Sequence, residues 1–518
     1  MAIKKIINAE YHQSSVPAYR GNPLIEALPD YLSYSASSIV NMMEQLPGEI
    51  HPQASSIQRS EWLRHACSRL FIPLSRHYEL HELLTLLILQ GYENRCPLTV
   101  SHMQELQDAY SAQQKGEIPD SINYEGRAGA EPLTLSLIGV SGVGKSYTTQ
   151  RILGAMYPQV IHHNNPEFEE VFDQVVYLKV EVPHDGSVKA MCMNLITELG
   201  HITGNNYAEL ISNTMTLERI RTKLAAFLCA HYVGLIVLDE MQNLLSSHKN
   251  KTELFNFIVG LSNSLNIPIL FIGTPKLYEI CEQGLRVSRR LGTMGNLKWN
   301  RMQYRDRNWK RFIAALWQQN ILADEDLEIP EEIEQGLYEF SQGIPDLLVK
   351  LFFLSQERSL VYAKSGKDRE EILYYETIKS VYDDYFENVK NMVEILKSGE
   401  QEKITEIEDL SLPDSIFDDA MLKEHREICN AVYEGSDEGG DKEDENNQSL
   451  KNAVLKLLRN CSITINAQVR DYIDEQIKQE PTISMAKLAA LSLEHFGTEA
   501  NTGKDSKTEP VAVGKLSD

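Results

Sequence analysis

Glycine, lysine and serine occur near position 140 at a spacing that suits phosphate chemistry. The chain reads Leu133-Thr-Leu-Ser-Leu-Ile-Gly139-Val-Ser-Gly-Val-Gly144-Lys145-Ser146, so an apolar run ends in the pattern G-x-x-x-x-G-K-S. Glycines allow backbone N–H groups to face phosphate oxygens, the lysine places a positive charge on the β- and γ-phosphates, and the serine hydroxyl binds Mg²⁺. Because a helix-compatible segment, Tyr147–Met156, follows, the pattern predicts a phosphate loop rather than a glycine-rich turn.

ATP and Mg²⁺ are the ligands expected at this loop. The residues predicted to bind the nucleotide there are Gly139, Val140, Ser141, Gly142, Val143, Gly144, Lys145, Ser146 and Tyr147. Tyr92 and Arg95 precede the loop in the chain and are expected to flank the adenine ring, with an ordinary surface turn as the alternative.

A second motif supplies the metal and the water chemistry. Leu235-Ile-Val-Leu-Asp239-Glu240 is an apolar strand that ends in two acids, the Walker B pattern. Asp239 is predicted to hold Mg²⁺ together with Ser146, and Glu240 to align and polarise the attacking water. An apolar strand that ends in Asp-Glu is a weak signal by itself, but paired with the phosphate loop at this spacing it predicts an ATPase.

Three further residues are candidates for the catalytic site. Thr274 ends the next apolar strand, Leu270-Phe-Ile-Gly-Thr274-Pro, where a polar side chain can reach the γ-phosphate; a strand-end turn is the alternative. Arg289 and Arg290 follow a predicted helix, Pro275–Glu282. Either is expected to act as an arginine finger for a neighbouring subunit, and a solvated basic surface is the alternative.

The elements that must position these residues form an alternating pattern. Five apolar strand-like runs, separated by helical stretches, predict a parallel sheet covered by helices. They are Leu133–Ile138, Val175–Val182, Leu235–Leu238, Ile269–Ile272 and Asn296–Trp299. The pattern becomes helical from Asn308 to about Leu396, with a loop at Gln342–Pro345, which predicts a small helical lid.

Composition divides the 518-residue chain into seven parts. We expect an arm (1–50), a helical region (51–131), the α/β core (132–307), the helical lid (308–396), an acidic linker region (397–449), a helical module (450–497) and a disordered tail (498–518). The net charge of −24 argues against non-specific coating of nucleic acid. The seven cysteines form no metal-binding pattern, and no apolar run approaches the ~20 residues of a membrane span.

The order of these motifs resembles the AAA+ ATPases. That resemblance implies an α/β fold with a five-stranded parallel sheet of order 5-1-4-3-2, a helical lid, helical extensions at both ends and active sites completed between subunits. Kinases and small GTPases fit less well, because the chain has no guanine-recognition motif and Glu240 directly follows Asp239.

Segments outside the ATP motifs resemble TnsC, the AAA+ regulator of Tn7-type transposition, and more distantly its TniB relatives. They are Ala18–Pro29, Gly91–Pro97, Tyr157–His162, Val175–Lys179, His184–Lys189, Ile272–Lys276 and Leu337–Gly343. One departure is Asp346, at a position where many AAA+ lids carry a basic residue.

The resemblance implies a function and a set of partners. Such proteins assemble on double-stranded target DNA as rings or helical filaments, and ATP hydrolysis disassembles them. The implied partners are the transposase TnsB, the endonuclease subunit TnsA and a TniQ/TnsD-type target selector, which would contact the arm. The implied location is the bacterial cytoplasm, at the nucleoid.

The resemblance also implies a DNA-contacting helix, Ser187–Leu199, on which Lys189 is the basic residue and Ser187 offers a backbone N–H. An ordinary exposed lysine is the alternative. The basic stretch Arg286–Arg311, with interleaved aromatic residues, is a second candidate, although such aromatic residues are more often core. Two other functions remain open: an adaptor that uses ATP as structural glue, and an initiator or STAND-type signalling ATPase.

Overall fold

The fold is given by a computed structural model. It describes residues 6–51, 54–93, 95–98, 133–164, 171–212, 214–246, 251–277, 292–322, 328–364, 371–398 and 467–479, together with single residues 430, 454, 488 and 491. The predicted tail lies outside these residues, as do the proposed finger residues Arg289 and Arg290 and most of the predicted acidic linker.

The described part of the N-terminal region contains a short strand and four helices. They are β1 (Ile6–Asn8), α1 (Pro23–Glu26), α2 (Ala36–Met43), α3 (Ser56–Arg69) and α4 (Ser75–Glu93), with 3-10 turns at Pro17–Tyr19 and Tyr31–Ser33. Buried apolar side chains such as Leu24 and Leu28 fix the arm to the rest of the chain. A capping box, in which Ser55 and Gln58 exchange side-chain and backbone hydrogen bonds, starts α3.

Strands and helices alternate through the core. They are β2 (Thr134–Gly139), α5 (Lys145–Met156), β3 (Val160–His163), β4 (Phe172–Val175), β5 (Tyr177–Glu181), α6 (Val188–Thr203), α7 (Leu217–Ala230), β6 (Leu235–Asp239), α8 (Lys251–Leu265), β7 (Ile269–Gly273) and β8 (Gly295–Trp299). Further 3-10 turns span Tyr207–Leu210 and Met241–Ser246.

The main sheet has five parallel strands in the order β5-β6-β7-β2-β8. When the five strands of this sheet are renumbered 1 to 5 along the chain, their order is 2-3-4-1-5. Strands β2, β6 and β7 are buried along their whole length, as their continuous apolar runs require. Alternate side chains serve two cores: Leu270 and Ile272 face the cluster that includes the lid, whereas Ile269 and Phe271 face α6, α7 and α8. The predicted five-stranded parallel α/β sheet is confirmed.

A second sheet of three strands was not predicted. Its order is β1-β3-β4, with β1 parallel and β4 antiparallel to β3. These strands have only three or four residues and carry polar side chains such as His162 and Asp173, so they lack an apolar run that would reveal them.

The lid contains α9 (Arg307–Trp317), α10 (Glu331–Ser341), α11 (Pro345–Lys364), α12 (Tyr375–Tyr385) and α13 (Glu387–Ser398), and a further helix, α14 (Ala467–Gln479), follows. The expected loop at Gln342–Pro345 joins α10 to α11. Gly343 in this loop has φ +73°, and a Cβ there would meet the Met302 carbonyl oxygen at 1.9 Å. Among the helices of the described ranges, none has the length and apolarity needed to span a membrane.

Candidate nucleotide-binding site

The phosphate loop lies between the carboxyl end of β2 and the first turn of α5. Gly142 and Gly144 have φ values of +80° and +91°, a conformation that glycine adopts readily and other residues rarely do. A Cβ on Gly139 would lie 2.6 Å from the carbonyl oxygen of Trp299 on the neighbouring strand β8. The glycines of the motif are therefore required by the backbone path as well as by phosphate access.

Lys145 is held over this loop by its own backbone. Its Nζ donates to the carbonyl oxygens of Gly139, at 2.6 Å, and Val140, at 3.0 Å, and the side chain is almost wholly buried. The ammonium group thus lies near the N-terminus of α5, where it adds a positive charge to the anion-binding end of the helix.

The two predicted metal ligands contact each other. Ser146 Oγ donates to Asp239 Oδ1 at 2.9 Å, and Asp239 is buried at the end of β6. A hydroxyl and a carboxylate beside a phosphate loop are oxygen donors of the kind that Mg²⁺ prefers when it is also bound by phosphate oxygens and water. This donor set fits Mg²⁺.

Lys179, which the sequence reasoning did not select as a site residue, is part of this centre. Its Nζ lies 2.9 Å from Asp239 Oδ2, and it also reaches the Ser146 carbonyl oxygen at 3.5 Å. Lys179 is on β5, next to β6 in the sheet, which brings it beside Asp239. The available signal was a charged residue within a strand of otherwise apolar character.

Glu240 has a strained backbone, with φ +57°, in the left-handed region that non-glycine residues rarely adopt. Its backbone N–H donates to Asp239 Oδ1 at 3.0 Å, and its carboxylate accepts a hydrogen bond from Gln242 Nε2. The other end of the Gln242 amide, Oε1, accepts from the Thr274 backbone N–H at 3.1 Å. The predicted residues Glu240 and Thr274 are therefore brought together, through a glutamine that the sequence reasoning missed.

These residues line the polar lobe of a cleft with two lobes. The polar lobe has a volume of about 390 Å³ and contains Lys145, Ser146, Asp239, Glu240 and Thr274. The apolar lobe, of about 320 Å³, is bounded by Leu70, Phe71, Val143, Phe312 and Val349. Both lobes share Gly142, Gly144, Tyr147 and Asp346, so one ligand with a charged end and a flat apolar end can occupy both.

Arg76 and His77, at the start of α4, form one wall of the apolar lobe. Arg76 donates to the carbonyl oxygens of Val143, at 3.2 Å, and Asn300, at 3.0 Å, and its guanidinium stacks on Trp299. Burial lowers the pKa of Arg76 to about 10. Burial, with the adjacent Arg76 charge, also holds the pKa of His77 well below its usual value. The N-terminal region thus braces the phosphate loop directly.

The structure does not bring Tyr92 and Arg95 to this cleft, contrary to the expectation that they flank the adenine. The Tyr92 hydroxyl donates to the Tyr232 carbonyl oxygen at 2.9 Å, and Arg95 donates to Gly91 and Val233 carbonyl oxygens. Both side chains are buried near the start of β6, the opposite end of the strand from Asp239. They fasten α4 to the sheet, and the segment around Phe71 lines the apolar lobe instead.

The lid reaches the site through the first turn of α11. The Asp346 backbone N–H donates to the Gly142 carbonyl oxygen at 3.2 Å, and the Asp346 carboxylate pairs with Lys350 at 2.7 Å. Asp346 therefore occupies the lid position at which many AAA+ lids carry a basic residue. Lys350, one turn later, lines the apolar lobe.

The expected DNA-contacting residues lie at the start of α6, and Lys189 is exposed there. Ser187 caps this helix by accepting from the Ala190 N–H, while its own N–H donates to Asp185 Oδ1 at 3.0 Å. The Gly186 N–H donates to the Pro183 carbonyl oxygen. Both backbone donors at this turn are therefore already used within the protein.

In the described part of the basic stretch, the aromatic residues belong to the core or, as with Tyr304, are partly buried against it. Trp299 and Trp309 are buried, and Arg301 donates to the Gln342 carbonyl oxygen at 3.0 Å. Arg305 pairs with Glu331. These arginines tie the end of β8 to the lid.

Comparison with known proteins finds a family match for the central part of the chain. Residues 130–281 match a family described as "AAA domain". A search of curated proteins finds no match. Solved structures with similarity include the ORC1 protein of Aeropyrum pernix in complex with DNA, at 13% identity, covering 80% of this chain and 97% of that one, with a TM-score of 0.36.

The Aeropyrum pernix ORC2 protein is 13% identical over 78% of this chain and 86% of its own, with a TM-score of 0.33. A Walker-type ATPase of Pyrococcus abyssi is 16% identical over 58% and 76%, with a TM-score of 0.32. The match to the AAA domain spans the phosphate loop, the Walker B acids and Thr274, the same residues that the fold gathers at the carboxyl end of the sheet.

Proposed function

We propose that the cleft binds ATP with Mg²⁺ and hydrolyses it to ADP and phosphate. The observation that carries this proposal is the meeting of Lys145, Ser146, Asp239 and Glu240 in one polar lobe. Lys145 and the α5 N-terminus bind the phosphates, Ser146 and Asp239 hold the cation, and the adjoining apolar lobe takes the base. Glu240 aligns a water, and Thr274 lies where it can contact the γ-phosphate.

We further propose that this ATPase regulates transposition: it oligomerises on target DNA, links a target selector to the transposase and is switched off by hydrolysis. The support is the resemblance of separate segments to TnsC, together with the way some of them pack. Asn22, in the segment Ala18–Pro29, donates to the Tyr92 carbonyl oxygen at 2.8 Å, and the Tyr92 hydroxyl reaches Val175. Three of the segments that resemble TnsC are thus hydrogen-bonded to one another, and they connect the arm, α4 and β4.

The partners of the proposed function follow from the resemblance. They are double-stranded DNA, TnsB, TnsA, a TniQ/TnsD-type selector and further copies of this chain. Lys189 is the proposed DNA contact, since an exposed lysine repeated around an assembly sums many weak phosphate contacts. Arg289 or Arg290 remains the proposed finger.

Fluorescence anisotropy of a random-sequence duplex, titrated with the protein, tests the proposal. Binding is expected with ATP or a slowly hydrolysed analogue and not with ADP or without nucleotide. Lys145→Ala should abolish ATP binding and with it DNA binding. Lys189→Ala should retain ATP binding while weakening DNA binding and lowering its salt dependence.

Two outcomes would redirect the proposal. Equal DNA binding in all nucleotide states would separate the ATPase from DNA and favour the adaptor function, in which ATP only joins subunits. Tight ATP binding by Lys145→Ala would instead contradict the nucleotide site itself.

A further inference from the structure

A hydrogen-bonded chain of three residues joins the ends of β6 and β7 inside the polar lobe. The Gln242 amide donates from Nε2 to the Glu240 carboxylate and accepts at Oε1 from the Thr274 backbone N–H, at 3.1 Å. All three residues line the lobe. The link therefore connects the proposed catalytic carboxylate to the strand end expected to meet the γ-phosphate.

The chemistry of the partners fixes the orientation of this amide. An ionised carboxylate only accepts hydrogen bonds and a backbone N–H only donates, so Gln242 satisfies both with one orientation and neither with the flipped one. The group that anchors Gln242 Oε1 is the Thr274 backbone N–H, whose position does not depend on a side-chain rotamer. Gln242 is consequently a preorganised donor aimed at Glu240.

Glu240 needs such a restraint because its backbone is held in an unfavourable conformation. A non-glycine residue at φ +57° is strained, and this conformation persists only where surrounding contacts determine it. The Glu240 N–H bond to Asp239 fixes the backbone, and the Gln242 bond fixes the carboxylate. The neighbouring Asn243 contrasts with this, since it is buried and donates to the Val182 carbonyl oxygen, a purely structural contact.

We propose that Gln242 is a positioning residue for ATP hydrolysis, which holds the Glu240 carboxylate in the polar lobe and couples it to the end of β7. This inference rests on the proposed ATPase function. It predicts that Gln242 affects the chemical step and leaves nucleotide binding intact, because the link uses the Thr274 backbone N–H, and neither the Gln242 side chain nor the Glu240 carboxylate is assigned to the phosphates or the base.

The first test needs no nucleotide. Thermal midpoints are measured for Glu240→Ala, Gln242→Ala and the double variant. The shifts should be non-additive, since the second substitution removes a partner already lost. The coupling between Glu240→Ala and Gln242→Ala should be the same when Thr274 is also replaced by alanine. Alanine keeps the backbone N–H that anchors Gln242. Additive shifts for Glu240 and Gln242 would overturn the link.

The second test is steady-state hydrolysis. Gln242→Ala should lower kcat by about tenfold to a hundredfold, the scale of a misplaced catalytic group, with the Kd for ATP within about twofold of the wild type. Gln335→Ala, on the exposed face of α10, is the matched control for deletion of a glutamine side chain. An unchanged or increased kcat in Gln242→Ala would overturn the positioning role.

The division of the effect between kcat and the Kd for ATP separates positioning from a general structural effect, because a general loss of structure would weaken nucleotide binding as well. Glu240→Gln distinguishes the two proposals. If this variant hydrolyses ATP at the wild-type rate, the hydrolytic function assigned to Glu240 is wrong. If Glu240→Gln is inactive while Gln242→Ala is fully active, only the role of Gln242 is rejected.

Discussion

At the scale of single residues, the site is a set of charges that neutralise one another. Asp239 is buried and shares its two carboxylate oxygens among Ser146, Lys179 and the Glu240 N–H. Removing one partner of a buried ion pair is costly, because it leaves the other charge without solvent or counter-charge. Lys179 is therefore expected to stabilise the nucleotide-free site.

Lys179→Met tests this expectation. It should lower the free energy of unfolding of the nucleotide-free protein by about 3 kcal/mol, the lower end for a broken buried pair. Mg²⁺ with ATP should then raise the thermal midpoint more in the variant than in the wild type, since the cation supplies the missing charge. The matched control is Lys390→Met, which breaks an exposed pair with Asp383 of similar length, 3.0 Å, and should cost under about 1 kcal/mol. Equal losses in both variants would contradict the assignment.

Sequence reasoning located the residues whose chemistry is carried by a contiguous motif. Lys145, Ser146, Asp239 and Glu240 were predicted as site residues and lie together in the polar lobe, because the phosphate loop and Walker B pattern fix their local surroundings. Lys179 and Gln242 were missed, since their roles depend on which strands are neighbours and on side-chain direction. Tyr92 shows the converse error: an aromatic residue before the loop suggested base stacking, but its partners are carbonyl groups at the far end of β6.

At the scale of elements, the junction between α10 and α11 sets the position of the lid. Gly343 has a left-handed backbone, its carbonyl accepts from the Met302 N–H at 2.9 Å, and it leaves no space for a Cβ. Immediately afterwards, Ile344 lies so close that its Cγ2 would be 2.9 Å from a Cβ on Gly142, and the Asp346 N–H donates to the same glycine's carbonyl oxygen. The loop was predicted from Gln342–Pro345, but the close approach to Met302 required the three-dimensional structure.

Gly343→Ala is expected to displace this junction. The left-handed conformation costs an alanine roughly 1–2 kcal/mol, and the clash with Met302 adds to it, so the free energy of unfolding should fall by at least about 2 kcal/mol. The affinity for ATP should also fall, because the lid forms part of both lobes. Gly154→Ala is the matched control: that helical glycine has open space around its Cβ position, and alanine should stabilise the protein by up to about 1 kcal/mol. Unchanged stability in Gly343→Ala would show that the lid does not depend on this junction.

At the scale of the whole molecule, the arm, α4, the small sheet and the core are joined by buried polar groups. His163 on β3 bonds to the Tyr11 hydroxyl of the arm at 2.8 Å and to Gln174 of β4 at 2.8 Å, and Gln174 in turn donates to the Leu24 carbonyl oxygen. His77 accepts from the Leu74 N–H at the cleft. These joints connect segments that sequence reasoning treated as separate parts.

The buried histidines predict how stability changes with pH. Burial lowers the pKa of His163 and His231, and burial with Arg76 lowers that of His77. Below the ordinary histidine pKa of about 6.5, these side chains bind protons in the unfolded chain but not in the folded protein. The free energy of unfolding is therefore highest above that pH and decreases as the pH falls. Each histidine contributes up to about 1.4 kcal/mol per pH unit in this window.

Thermal midpoints at pH 7.5, 6.5 and 5.5 measure this effect, with His163→Gln as the variant and His65→Gln, on the exposed face of α3, as the matched control for loss of a histidine. The wild-type midpoint should fall between pH 6.5 and 5.5, and His163→Gln should flatten that fall, because glutamine can keep a hydrogen bond to Tyr11 without a proton to gain. A midpoint that does not change across this window would mean that these rings gain protons in the folded protein as readily as in the unfolded chain. The joints between arm, small sheet and cleft would then be charged, and their burial could not explain how the parts hold together.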